Sequence, residues 1–127
     1  MISRTAQNYL RQIYELVEQK GYARIKDIAE ALNVSAPSVI EMVEKLAFER
    51  LVIYEKGEAI ILTEEGRSMA STINQRYQVF LKLFRFAGVS QKTAYRDACL
   101  IEHYISDETN KSIKDLVERL EKENIKI

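Results

Sequence analysis

Along most of this chain the apolar residues recur every three or four positions, but after Arg50 the spacing shifts towards two, and it returns to helical spacing after Leu62. That one interruption constrains the fold more than any other feature of the sequence. Leu51-Val52-Ile53-Tyr54, Glu55-Lys56-Gly57-Glu58 and Ala59-Ile60-Ile61-Leu62 read as a strand, a turn containing glycine and a second strand. The expected fold class is therefore mainly α, with one hairpin set among amphipathic helices.

Upstream of the hairpin, Tyr9, Leu10, Ile13, Leu16 and Val17 mark a first helix from about residue 5 to Lys20, closed by Gly21. Ile28, Ala29 and Leu32 mark a second over Ile25 to Leu32. After Asn33-Val34-Ser35 a third begins near Ala36-Pro37, with Val39, Met42, Val43 and Leu46 on its buried side. Pro37 suits a first turn, where a missing amide costs no intrahelical bond, and Ser35 can cap the exposed N–H groups. Downstream, Thr63 caps a long helix from Glu64 to about Ala87, whose two first-turn acids match the helix dipole. Gly88-Val89-Ser90 breaks it. Ser90 then caps a helix carrying Ala94, Ala98, Ile101 and Ile105, and Ser106 caps a last one carrying Ile113, Leu116, Val117 and Leu120. Two domains are expected: 1–63, three helices and the hairpin, and 64–127, all helical.

A chain of 127 residues that is 46% hydrophobic can bury a core but is too short for a large multi-domain enzyme. The single cysteine, Cys99, excludes an intrachain disulfide, and the opening residues hold no apolar stretch of signal-peptide type. The longest apolar runs fall far short of the roughly 18 residues that cross a bilayer. These features point to a cytoplasmic protein with no membrane partner. Lys+Arg and Asp+Glu number 19 each, so a case for nucleic acid must come from motif geometry rather than from excess positive charge.

Helix, helix, tight turn, helix, hairpin is the order of a winged helix-turn-helix, in which the second helix of the turn motif enters the major groove and the hairpin lies along the backbone. Phosphate contacts then fall to the start of the third helix, at Ser35, Pro37 and Ser38, and to Lys26, Lys45 and, on the wing, Lys56. Ser38, Glu41 and Met42 face base edges, although Glu41 reads more simply as a solvated surface acid. Residues 1–62 hold 8 basic and 9 acidic side chains, so one copy should bind random DNA poorly and need a second half-site on double-stranded operator DNA. The plainer alternative is a helical cap whose hairpin serves only protein contacts.

In the second half, Cys99, Glu102 and His103 stand at i, i+3 and i+4, one face of a single helix. Thiolate, carboxylate and imidazole together suit a transition metal better than Ca(II) or Mg(II). As a catalytic pair, Cys99 and His103 lack an orienting third group and an oxyanion site, and phosphate loops are missing, so no enzyme and no small organic substrate are expected.

Thr5-Ala-Gln-Asn-Tyr-Leu-Arg-Gln-Ile-Tyr-Glu-Leu, Asp27-Ile-Ala-Glu-Ala-Leu-Asn-Val-Ser-Ala-Pro-Ser-Val, Leu62-Thr-Glu-Glu-Gly-Arg and Asp97-Ala-Cys-Leu-Ile-Glu-His together resemble the diphtheria toxin repressor (DtxR) and manganese transport regulator family of metal-dependent transcriptional repressors. The likeness covers nearly the whole chain and is to the short type, without a C-terminal barrel. It implies a homodimeric repressor that binds operator DNA when Mn(II) or Fe(II) is loaded between the first helix and the dimerisation helices. In that family the shell is completed from the first helix and, in manganese regulators, by a His of the long helix; the matching positions hold Asn8 and Tyr77. Carboxylates are expected where this chain has Asn8, Arg11 and Cys99, and an ancillary site of two His and a Glu falls on Tyr77, Tyr95 and Leu81.

Two readings of the cluster follow. In one, an altered centre of Cys99, Glu102, His103 and the Asn8 amide oxygen takes Fe(II), Zn(II) or Co(II) in preference to Mn(II). In the other, metal control is lost and Arg11, a cation that opposes a dication, joins Glu102, His103 and Tyr77 in a polar network. A separate class is a metal-independent winged-helix regulator or protein-interaction adaptor answering to another protein or to a redox signal at Cys99. The homodimer is expected from Tyr77, Val79, Phe80, Leu83, Phe84 and Phe86 in one helix and Tyr95, Leu100 and Tyr104 in the next, more apolar surface than one chain would bury.

Overall fold

The computed structural model describes residues 2–123. Among them, six helices and one two-stranded antiparallel sheet follow in the order α1 (Arg4–Lys20), α2 (Ile25–Leu32), α3 (Ala36–Phe48), β1 (Val52–Ile53), β2 (Ile61–Leu62), α4 (Glu64–Phe86), α5 (Gln91–Ile101) and α6 (Asp107–Lys122). The chain divides into two compact units between Thr72 and Ile73, a point inside α4. No described helix is long and apolar enough to cross a membrane.

The first unit is built on α1. Ser3 caps it by accepting the Ala6 amide, and Gly21 closes it at φ 87, a left-handed value open to glycine, with its N–H on the Val17 carbonyl. Its stripe of Tyr9, Leu10, Ile13, Leu16 and Val17 is buried, as the spacing predicts. Around it pack α2 through Ile28 and α3 through Val39, Val43 and Leu46. Asn33 carries the turn between α2 and α3 at φ 55, one of the few non-glycine types that tolerates this conformation.

The hairpin is shorter than its sequence suggests. Only Val52 pairs with Leu62 and Ile53 with Ile61, against expected strands of four residues each. The reason lies in where the neighbouring backbone groups go. The Leu51 amide donates to Leu46 at the end of α3, and Arg50 sits at φ 62, so the first strand cannot begin earlier. Ile60 exchanges both backbone hydrogen bonds with Ala23, 2.9 and 2.7 Å, in a bridge that ties the wing to the segment before α2.

Thr63 then fixes the start of α4. Its hydroxyl donates to the Arg50 carbonyl at 2.7 Å and accepts the Gly66 amide at 3.0 Å. A Cβ on Gly66 would lie 1.8 Å from the Leu51 carbonyl oxygen, so the end of the hairpin and the first turn of α4 touch backbone to backbone.

In the second unit Tyr77, Phe80 and Ala98 form the buried core, with Leu81, Phe84, Ile101, Ile105 and Ile113 packed on it. Two sequence expectations are corrected here. Ser90 occupies the N-cap of α5 but makes no side-chain capping bond. The helix also stops at Ile101 and does not reach Ile105: His103 and Tyr104 donate to Leu100 and Ile101, the tightened i to i−3 pattern that ends a helix. At the start of α6 Ser106 caps as expected, accepting the Thr109 amide at 3.2 Å.

Candidate nucleic-acid interface and metal centre

The amphipathic division of α3 decides what it can present. Val39, Val43 and Leu46 are buried against α1 and α2, which leaves Ser35, Pro37, Ser38, Glu41 and Lys45 exposed and Met42 half-buried. Every residue that the sequence singles out on this helix therefore lies on or beside its outward face. Lys26 on α2 and Lys56 in the turn of the wing are also exposed.

Two details refine that face. The Ser35 hydroxyl accepts the Ser38 amide at 3.3 Å and donates to the Ser38 Oγ at 2.9 Å, so both hydroxyls are engaged in capping before any ligand arrives. Lys45 Nζ lies 3.6 Å from Glu41 Oε1, one turn away, which holds the cation partly neutralised. Arg24 is a cation that the sequence reading passed over. It stands exposed at the N-cap of α2 with its guanidinium 5.0 Å from the centroid of the Tyr22 ring. The signal available was the Tyr22-Ala-Arg24 run just before the second helix.

The donors of the second unit are distributed less simply than their spacing suggests. Glu102, in αR conformation at the end of α5, and His103, in the following turn, form a buried pair: His103 Nε2 lies 3.0 Å from Glu102 Oε1, with the His103 and Glu102 side chains 5% and 3% exposed. Cys99 packs half-buried against the Tyr77 and Phe80 core and also lines a cavity with Lys92, Thr93, Tyr95, Arg96 and Leu100. Among the described residues no group of three or more His, Cys, Asp or Glu stands where it could hold an ion.

Tyr77 and Tyr95 meet edge to face, ring centroids 5.7 Å apart, so these two side chains serve as aromatic packing. In the first unit Asn8 is half-buried on α1, and Arg11 is buried with Nη1 3.4 Å from Glu15 Oε2. The turn between α5 and α6 is held by Arg76, which pairs with Asp107 at 3.2 Å and donates to the Ile105 carbonyl.

The apolar surface expected to join two copies is also redistributed. Tyr77 and Phe80 are buried within the chain, while Tyr95, Leu100 and Tyr104 are 41%, 47% and 70% exposed.

Residues 1–60 match the iron dependent repressor N-terminal DNA binding domain, and residues 63–124 match the iron dependent repressor metal binding and dimerisation domain. The HTH-type transcriptional regulator MntR of Geobacillus kaustophilus (strain HTA426) is 42% identical over 112 residues, 88% of this chain and 79% of that protein. Among solved structures the chain is similar to the manganese regulator SloR, with TM-score 0.75 at 32% identity. It is also similar to a manganese-dependent transcriptional repressor in complex with manganese, with TM-score 0.78 at 28% identity. Each of these two alignments covers 89% of this chain, which spans about half of those proteins, 53% and 52%.

Proposed function

The chain belongs to the iron-dependent repressor family of DNA-binding transcriptional regulators, and from that premise we propose that it acts in the cytoplasm as a homodimeric repressor on double-stranded operator DNA. The observation that carries the proposal is the division of α3, whose buried side anchors it while its capped N-terminal turn, with Ser35, Pro37, Ser38, Glu41 and Met42, stands outward.

Each element then has a task. The α3 residues read base edges in the major groove, and Ser38 exchanges its bond with Ser35 for a phosphate or base contact. Lys26 and Arg24 sit at the start of α2, where a helix crossing the backbone meets phosphates, and Lys56 does the same from the wing. The exposed Tyr95, Leu100 and Tyr104 supply the surface on which two copies meet.

Members of the family bind divalent metals, manganese and iron among them. In this chain the ligand types nearest that role are Cys99, Glu102, His103 and Asn8. Of these, Glu102 and His103 lie against one another as a donor pair, and we derive no step through an ion.

A gel-shift titration of the purified protein with DNA from directly upstream of its own coding sequence, beside scrambled DNA of equal length, tests the proposal. A discrete complex on the first, lost when Ser38 and Met42 are both replaced by alanine, is expected. Equal binding to both sequences would sink it.

One feature favours a second reading as a protein-contacting adaptor: Phe48, at the end of α3, is the most exposed large hydrophobic side chain among the described residues and borders a groove shared with Ile2, Ala6 and Met42. The same titration separates the two, since an adaptor leaves both DNAs unshifted.

A further inference from the structure

We infer that this protein holds its operator without a resident divalent metal, and that side-chain pairs fix the α5–α6 turn in place of an ion; the inference rests on the repressor reading above. The chain contains one cysteine and one histidine, so any transition-metal centre within it uses Cys99, His103 or both, or else is built of oxygen alone. Protein centres for such ions take three or four side-chain ligands converging on one point.

Among the described residues the His, Cys, Asp and Glu side chains form no such set. Glu102 and His103 lie 3.0 Å apart, almost wholly out of water. Cys99 opens onto a cavity bordered by Lys92, Thr93, Tyr95, Arg96 and Leu100, a lining that adds no carboxylate or imidazole. Tyr77 and Tyr95, packed edge to face, fill the neighbouring space with rings, which offer a metal no carboxylate or imidazole. No third His, Cys, Asp or Glu completes a set among the described residues.

What an ion would contribute to this turn is already present in the side chains. The α5 helix closes through the Leu100 and Ile101 carbonyls, with the Glu102–His103 pair immediately after it. Arg76 reaches from α4 to the Ile105 carbonyl and to Asp107 at the head of α6. Both ends of the turn are thus tied by side-chain pairs.

The experiment uses the full chain. Purified protein is loaded with excess Mn(II), or with Fe(II) under anaerobic conditions, then dialysed against metal-free buffer, and its metal content and thermal melting are measured. In parallel, a random-sequence duplex pool is selected once in chelator and once in Mn(II), and the affinity for any winning duplex is compared across both conditions.

The expected result is loss of the metal on dialysis, an unchanged melting temperature, and affinities that agree within about fivefold, the lower edge of a real allosteric coupling. An ion retained at one per chain, or an affinity gain with Mn(II) above about fivefold, overturns the inference. If neither selection enriches any duplex, it is the repressor reading that fails, and the metal content still decides this one.

Discussion

Gly66 shows how much a single missing side chain can control. Its amide is held by the Thr63 hydroxyl, and the space where a Cβ would go is taken by the Leu51 carbonyl oxygen, 1.8 Å away. Backbone on backbone leaves no flexible neighbour to yield. Gly66→Ala should therefore destabilise the protein by about 1–3 kcal/mol, the usual cost of overpacking, seen as a lower urea midpoint at unchanged slope. Thr63→Val removes the acceptor for Gly66 N–H and the donor to Arg50 together, so a loss of about 1–2 kcal/mol is expected in the same measurement. The capping role of Thr63 is legible in the sequence because a Thr before two acids and a helical pattern is a local signal. The contact with Leu51 is not legible there, since it joins residues fifteen positions apart through backbone atoms that carry no residue-specific mark.

At the level of elements, α3 is where charge and shape interact most. The Glu41–Lys45 pair is 3.6 Å apart with both side chains more than half exposed, so it contributes under about 0.5 kcal/mol to stability. Its effect on DNA is larger in proportion. Glu41→Ala releases Lys45 and removes an acid from the face that meets phosphates. Non-specific binding should tighten, with the slope of log affinity against log salt steeper by about 1, while the melting temperature stays in place. A fluorescence-anisotropy salt series on a random duplex reads both quantities, and an unchanged slope would remove Lys45 from the interface.

The helices themselves are readable because 3.6-residue spacing and Ser or Gly ends are properties of short windows, and α1, α2 and α4 match their expected spans closely. The hairpin and the end of α5 are not. Strand length depended on Ala23 and Leu46 claiming the backbone groups of Ile60 and Leu51. The spacing of Cys99, Glu102 and His103 likewise presumed a helix that in fact closes at Ile101. An i, i+3, i+4 set names a face only while the helix continues. What packs on that face is a tertiary matter, and so the triplet was visible in the sequence while its separation into a buried pair and a core-packed thiol was not.

For the molecule as a whole, zero formal charge sets the terms of DNA binding. Sequence-independent affinity comes from cations that displace counterions at phosphates, and a neutral chain has little of it to spare. Specific binding must then be assembled from two reading helices on two half-sites, which makes the meeting of the copies as important as the residues that touch bases. Tyr95, Leu100 and Tyr104 are the exposed apolar side chains of the second unit suited to that meeting. Replacing Leu100 and Tyr104 with Glu places like charges across an isologous contact, where each meets its own copy, while their exposure spares the fold of the single chain. The double variant should run as a monomer in size exclusion with light scattering and keep its helical circular dichroism. Its operator affinity should fall by about a hundredfold, because the second half-site no longer binds at the raised effective concentration that a dimer provides. A monomer that still bound the operator at full strength would show that one reading domain suffices, and a variant that stayed dimeric would place the contact elsewhere on the chain.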